Sequence, residues 1–579
     1  MRRLPPVPTM RPTGDATLPI TRLLAAALAA TSLLAPASAS TLGGDGALAG
    51  YIQGRHAAAN GELDRAANYF IGAAALSGND PLLLRRLLDT AVASGDFELA
   101  MGAAGRLEAQ GEYDTAIGTL EFVQQVRSKR WAAAREAADK LAEGGFGSFV
   151  APILKAWVAQ GERKKSEALA LVDGPADDTQ PQAYFDITRA QLQMLQGKDR
   201  DAIQSLMGQI AEDDGQDWRS RLLLADAYQA AGRADYAAEV LEKAVPAPDV
   251  IAARAQLKAG EKLDEAPHSA SEGLSRLFLR LAADISRSRP VPMSLVFTRA
   301  ANWLDSGNDR AWLATGQYLA QAEQYDAALQ AARQVKSGSV LSGLADAQIA
   351  AILTAMERDQ EALDKLEAAA NAPGADAEAW ANLGQAYHDA DRYDDTIEAY
   401  RKAQALPIAN EAMAWQLWFM TGAAEEARGD WEAAEVAFRK ALEIAPKESL
   451  TLNYLGYTLL DRGQKVDEAI DLIEQAHALA PDNGHITDSL GWAQYRQGDY
   501  AAAVETLEKA ITSVPGDTTI NDHLGDAYWQ VGRRIEARFR WRAALQGEPT
   551  EAQEKEITEK LTLGLDRALA MGGAVPARP

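Results

Sequence analysis

Residues 415–545 read WQLWFMTGAAEEARGDWEAAEVAFRKALEIAPKESLTLNYLGYTLLDRGQKVDEAIDLIEQAHALAPDNGHITDSLGWAQYRQGDYAAAVETLEKAITSVPGDTTINDHLGDAYWQVGRRIEARFRWRAAL. Within them Gly422, Gly456, Gly491 and Gly525 stand 34, 35 and 34 residues apart. Gly429, Gly463, Gly498 and Gly532 repeat the same steps, seven residues further on. Alanines keep the same register, first as Ala434, Ala469, Ala503 and Ala537, then as Ala441, Ala476, Ala510 and Ala544. Pro446, Pro481, Pro515 and Pro549 close each unit. Four copies in phase are not chance.

Each position has a physical task. The first glycine lets two helices approach closely. The second ends the first helix (helix A), where a left-handed residue costs least as glycine. The small alanine lets the second helix (helix B) lie against it. Phe438, Ile473, Leu507 and Trp541, four residues on, are expected to fill the space between neighbouring repeats. The proline stops helix B. This is the spacing of tetratricopeptide repeats, a helix pair of about 34 residues. The expected fold is therefore all-α, a tetratricopeptide-repeat right-handed superhelical solenoid of roughly 12–14 helix pairs.

The length of 579 residues agrees, because a solenoid extends its core where a globule would split into domains. The formal charge of −24 argues against a nucleic-acid backbone as partner, which needs clustered cations. At the amino terminus Arg22 precedes the apolar run Leu23 to Ala35, and Ala37-Ser38-Ala39 suits cleavage before Ser40. Residues 1–39 thus read as a signal peptide, and Met10 as an alternative start. The run is too short for a permanent anchor, so no integral membrane anchor is expected. There is no cysteine, which removes disulfides, thiolate chemistry and lipidation at the cleavage site. The expected product is exported, soluble and periplasmic.

Ser40 to Gly50 reads as a glycine-rich flexible linker. Residues 40–265 form an amino-terminal degenerate array. It starts with Gly54, Gly61, Ala66 and Phe70, weakens over 113–180 around Trp131, Trp157 and Gly161, and returns at Gly197 and Tyr228. Residues 266–308, bounded by Ala266-Pro267 and Pro290-Val291-Pro292, read as a joint of irregular helices. A carboxyl-terminal array over 309–549 and a capping helix with tail over 550–579 complete the chain.

No catalytic motif emerges. His56, His268, His388, His477, His485 and His523 are scattered without metal spacing, and neither a Walker loop nor a nucleophile elbow is present. His485 and His523 read as helix-start or surface histidines. No catalytic residue, cofactor or metal is expected, and the abundant carboxylates read as solvated faces.

The binding face is more telling. Helix A positions five, nine, twelve and thirteen face the inner groove of such repeats. In the last three repeats they carry Asn453, Tyr457 and Asp461, then Asp488, Trp492, Tyr495 and Arg496, then Asp522, Asp526 and Trp529. Rigid aromatics beside hydrogen-bonding groups suit an extended peptide. Only Arg496 is positive, so the groove is no cationic clamp. Tyr495 and Trp529 have two readings, groove contact or stacking as core; for Trp492 exposure is expected.

The segment Asp488-Ser489-Leu490-Gly491-Trp492 with Tyr495-Arg496 and Gly498, leading into His523-Leu524-Gly525, Trp529, Gly532, Glu536-Ala537 and Trp541, goes beyond a generic repeat. Over about residues 449–549 the chain resembles a periplasmic family typified by the outer-membrane lipoprotein adaptor of a carboxyl-terminal processing protease. The resemblance implies a non-enzymatic scaffold that binds proteins in its groove. Its partners would be a carboxyl-terminal processing protease and murein hydrolases, with cell-envelope substrates presented to the protease. It would place protease docking near Tyr51 to Ala59. The family's typical member is a lipoprotein, and this chain has no cysteine to acylate. The alternative is an assembly factor for a pilus, secretion or outer-membrane complex.

Overall fold

The computed structural model describes residues 45–143, 147–174, 181–210, 217–245, 247–286, 292–372, 375–408 and 411–571. The leader over 1–39, the start of the linker, Pro290 and the tail after Met571 lie outside the described residues. Among the described residues every regular element is helical. Two compact units divide between Ala375 and Asp376.

The first unit contains α1 (Asp45–Ala59), α2 (Leu63–Leu76), α3 (Pro81–Ser94), α4 (Phe97–Glu108), α5 (Thr115–Arg127), α6 (Trp131–Ala142), α7 (Gly147–Gly161), α8 (Lys165–Ala170), α9 (Gln182–Leu195) and α10 (Asp199–Ile210). It continues through α11 (Trp218–Ala230), α12 (Ala234–Glu242), α13 (Pro248–Ala259), α14 (Ala270–Ile285), α15 (Pro292–Leu304), α16 (Asp309–Gln321), α17 (Tyr325–Ala332), α18 (Ser342–Ala355) and α19 (Asp359–Ala370). The second holds α20 (Ala377–Asp389), α21 (Tyr393–Gln404), α22 (Glu411–Arg428), α23 (Trp431–Ile444), α24 (Ser449–Asp461), α25 (Val466–Leu479), α26 (Gly484–Gln497), α27 (Tyr500–Ser513), α28 (Thr518–Gln530), α29 (Arg534–Ala544), α30 (Glu551–Leu563) and α31 (Leu565–Met571). Consecutive helices pack in pairs from α1–α2 to α11–α12, and again from α14–α15 to α28–α29. This is the expected tetratricopeptide solenoid of helix pairs.

The repeat chemistry works as its spacing implied. A Cβ on Gly525 would lie 2.4 Å from Nε1 of Trp541, so α28 and α29 touch only because that position is bare. Gly498 closes α26 at φ 85°, a left-handed value that glycine adopts without steric cost. Asn483 starts the same helix by accepting from the backbone N–H groups of His485 and Ile486. Ala445, Ala480 and Val514 precede the closing prolines with ψ of 79, 63 and 72°, outside the helical region as a following proline demands. Phe438, Leu507 and Trp541 also pack on Gly422, Gly491 and Gly525 of their own repeats, and Phe438 meets Tyr454 of the next repeat at 5.0 Å between ring centroids.

Two expectations are overturned. Gly46 and Gly50 belong to α1, where Gly50 admits Ala73 of α2 at 3.0 Å from its would-be Cβ, so the flexible linker does not reach Gly50. The joint over 266–308 is core. Leu274, Leu277, Phe278 and Leu281 make one apolar stripe on α14, and with Val296, Phe297, Ala300 and Ala301 of α15 they join the same core as α2 to α7. Gly273 lies directly on the fully buried Trp157 of α7.

The pair α14–α15 packs against α3, α5 and α7, each the first helix of its own pair. Arg299, 5% exposed, donates from Nε to the Val92 carbonyl at 3.0 Å and from Nη2 to the Ala93 carbonyl at 2.6 Å. It caps the carboxyl end of α3, where carbonyls lack helical partners and a cation is favoured. Trp303 Nε1 adds a bond to the Gly95 carbonyl at 3.3 Å. The inner face of this array is therefore filled by its own chain.

Candidate functional site

The expected groove residues lie on α24, α26 and α28, the first helices of three consecutive repeats. Asn453, Tyr457, Tyr495, Arg496 and Asp522 are half-buried, and Asp461 is exposed. Asp488, Trp492, Asp526 and Trp529 are buried. Exposure of Trp492 is thus corrected: the side chain is only 7% accessible.

The cause is a stack built across two repeats. Trp492 lies parallel to Tyr495 at 4.7 Å between ring centroids and to His523 at 4.0 Å. His523 is itself buried, at 3% exposure, with Nδ1 3.0 Å from each carboxylate oxygen of Asp488. A histidine read from sequence as helix-start or surface is therefore a buried partner of a carboxylate 35 residues upstream. His485 does lie at the surface, with a half-exposed side chain. One repeat length separates Asp488 from His523, and that spacing was the available signal.

Tyr495 completes the stack. Its hydroxyl accepts from Gln530 Nε2 at 3.4 Å and its ring meets Tyr500 at 5.2 Å. Burial, then the nearby Asp526 carboxylate, pushes its phenol well above the usual tyrosine range, so it stays neutral. One repeat earlier, Tyr454 donates to Glu426 at 3.0 Å. Burial raises both groups. The Trp492 Nε1 and Asn453 Oδ1 atoms are buried and make no hydrogen bond among the described residues. Arg496 has no ion-pair partner among them.

In the last repeat the expected peptide contacts are already engaged. Lys560 of α30 reaches both oxygens of Asp522 at 2.8 and 2.7 Å and Asp526 Oδ2 at 2.9 Å. Burial alone would pull the ammonium down; Asp522, Asp526 and Glu556 outweigh it and raise it well above the usual lysine range. Burial also raises Asp526, whose other oxygen accepts from Trp541 Nε1 at 3.0 Å. Trp529 donates from Nε1 to Asp566 at 3.0 Å, and Gly564 sits on its ring. Gly564, at φ 80°, also breaks the expected single capping helix into α30 and α31. Asp522, Asp526 and Trp529 therefore hold the cap, and Trp529 follows its core reading.

No cluster of three or more potential metal ligands occurs among the described residues. The cavities of this unit include a shallow polar one lined by Arg428, Trp431, Glu435 and Arg462. What the three helices offer is a surface. Half-buried amide, phenol and guanidinium groups stand on a rigid aromatic bed, an arrangement that can hold a chain of another protein.

Residues 455–518 and residues 377–407 match tetratricopeptide repeat families. A TPR repeat-containing protein of Pseudomonas aeruginosa is 42% identical over 101 residues, 17% of each chain. The chain thus spans about a sixth of that curated relative's length. Among solved structures, the Cut9 and Hcn1 hetero-tetramer of the APC/C is similar at 14% identity and TM-score 0.38, over 90% of this chain and 96% of that one. Yeast Tom70 is similar at 14% identity and TM-score 0.33, over 91% and 96%. Pseudomonas aeruginosa pilF is similar at 19% identity and TM-score 0.28, over 34% and 88%. The chain carries tetratricopeptide repeats, a fold that binds other proteins.

Proposed function

We propose that this protein is a non-enzymatic periplasmic scaffold that holds another protein on the inner face of α24 and α26. Asn453, Tyr457, Tyr495 and Arg496 make the contact; Asp488, Trp492 and His523 form the rigid bed beneath. The observation that carries this reading is the set of half-buried Asn453, Tyr457, Tyr495 and Arg496 on α24 and α26, with Tyr495 stacked on the buried Trp492. Asn453 Oδ1 makes no hydrogen bond among the described residues, and an extended main chain offers an N–H to pair it.

The specific client is a cell-envelope substrate presented to a carboxyl-terminal processing protease, with murein hydrolases as the substrate class. The scaffold acts by raising effective concentration, since two partners on one chain meet more often than free ones. The apolar run and small-residue site within residues 1–39 support export. No helix among the described residues is long and apolar enough to cross a membrane.

Crosslinked pull-down from periplasm, read by mass spectrometry, tests the reading. Recovery of a processing protease together with a cell-wall hydrolase is expected, with both reduced by Arg496→Ala and Tyr457→Ala. Recovery of neither would overturn the protease assignment. A catalytic turnover by the purified chain that survives those substitutions would overturn the scaffold reading itself.

A further inference from the structure

The outer face of the final repeat departs from those before it. In register, the position two before the packing alanine is Glu432, Asp467, Ala501 and then Ile535. The position two after it is Val436, Asp471, Glu505 and then Phe539, and the position five after it is Arg439, Glu474, Glu508 and then Arg542. Where preceding repeats mostly place carboxylates or small groups, α29 places a large apolar ridge. Ile535 is 85% exposed and Phe539 65% exposed. Spacing of four residues puts these two in one line along α29, and Val531, at the end of α28 before the left-handed turn at Gly532, is 40% exposed.

Cations border that line. Arg534 and Arg538 lie over the Trp529 ring, 3.8 and 5.4 Å from its centroid, which holds their heads along one side of the ridge. Arg542 is exposed and makes no ion pair among the described residues. In a chain of net charge −24 this is a local reversal of sign.

We propose that the outer face of α29 is a docking ridge for an acidic amphipathic helix of a partner protein. The partner's apolar seam covers Ile535 and Phe539, and its flanking carboxylates meet Arg538 and Arg542. Helix-on-helix docking through anchors one turn apart is the recognition mode that such a ridge fits. A second copy in two-fold register would set arginine against arginine. An anionic bilayer, being flat, would also meet Asp471 and Glu505 of the preceding repeats and Glu551 and Glu554 of α30, all exposed. A single acidic helix avoids them. This ridge is separate from the inner face and stands whether or not that face binds peptide.

The test uses the full chain and a synthetic amphipathic helix with leucines on one face and glutamates on both flanks. Its controls are the same peptide with lysines for glutamates, a scrambled isomer, and phosphatidylglycerol vesicles. Calorimetry is expected to show binding of the glutamate peptide alone, weakening as salt rises. Ile535→Ser with Phe539→Ser should lower affinity by roughly tenfold or more, as should Arg538→Glu with Arg542→Glu. The two serine sites are solvent-exposed, so circular dichroism should not change. Binding that is absent, unchanged in both variants, or equal for the lysine peptide overturns the proposal. So does ridge-dependent binding to vesicles in place of the peptide, or ridge-dependent self-association.

Discussion

Lys560 and Asp522, on α30 and α28, are joined by two bonds from one ammonium to both carboxylate oxygens, at 2.8 and 2.7 Å. The lysine is 1% exposed. A cation so buried survives because Asp522, Asp526 and Glu556 all face it, and among the described residues neither aspartate has another cation at that distance. The carboxyl-terminal cap is therefore held by charge at its centre and by Trp529 against Gly564 at its end.

Lys560→Met keeps the length of the side chain and deletes the charge. Two largely buried carboxylates are left uncompensated, which costs about 3–5 kcal/mol. Hydrogen exchange should show α30 and the end of α28 losing protection while α20 to α23 keep theirs. Adding Asp522→Asn to the variant should recover part of the loss, since the pair is coupled.

Gly525→Ala sets two effects against each other. Alanine in a helix interior gains about 1 kcal/mol over glycine. The new methyl would stand 2.4 Å from Trp541 Nε1, and Trp541 cannot turn away because that nitrogen donates to Asp526. Overpacking costs about 1–3 kcal/mol and wins. Thermal unfolding should show a destabilised second unit.

Trp492→Ala and Arg496→Ala separate bed from contact. Trp492 is stacked on both sides and buried, so its truncation costs about 3–5 kcal/mol and the near-ultraviolet dichroism should change. Arg496 has no ion pair to lose among the described residues, so its removal should leave stability within about 0.5 kcal/mol and weaken partner binding. If Arg496→Ala leaves partner capture untouched, the inner face is not the contact.

Asp226 on α11 accepts from the backbone N–H groups of Glu265 and Ala266, both at 2.9 Å. Burial, opposed by those two bonds, pushes its carboxyl up to about 6. The unfolded value is about 4, so between these limits the folded state binds the extra proton. This contribution therefore favours folding as pH falls through about 6 and is lost as pH rises through it. Asp226→Asn abolishes the titration. Denaturant unfolding of the first unit should show wild type gaining on the variant from pH 7 to pH 5; a constant difference would refute the shift.

The repeat was legible at Gly422, Gly456, Gly491 and Gly525 because close helix approach admits only one residue type there. The joint over 266–308 was misread because proline marks where a helix stops and says nothing about what the next helix packs on. Leu274, Leu277, Phe278 and Leu281 already formed an apolar stripe, yet the surface awaiting it on α3, α5 and α7 lies more than a hundred residues upstream. The expected groove residues fall on the first helices of three consecutive repeats, α24, α26 and α28, since the repeat register fixes that. Their exposure was not legible, because it depends on what the next helix brings: His523 onto Trp492, and Lys560 onto Asp522 and Asp526.

Sequence alone determined the helix pairs, their register and the identity of the inward positions, since these follow from contacts within a single 34-residue unit. Tertiary structure decided which inward positions remain open. Arg299 of α15 closes the inner face over Val92 and Ala93, and Lys560 closes it over Asp522, through contacts spanning 207 and 38 residues. Periodicity encodes how neighbours meet; it carries no information about which distant segment of the same chain fills the surface they create.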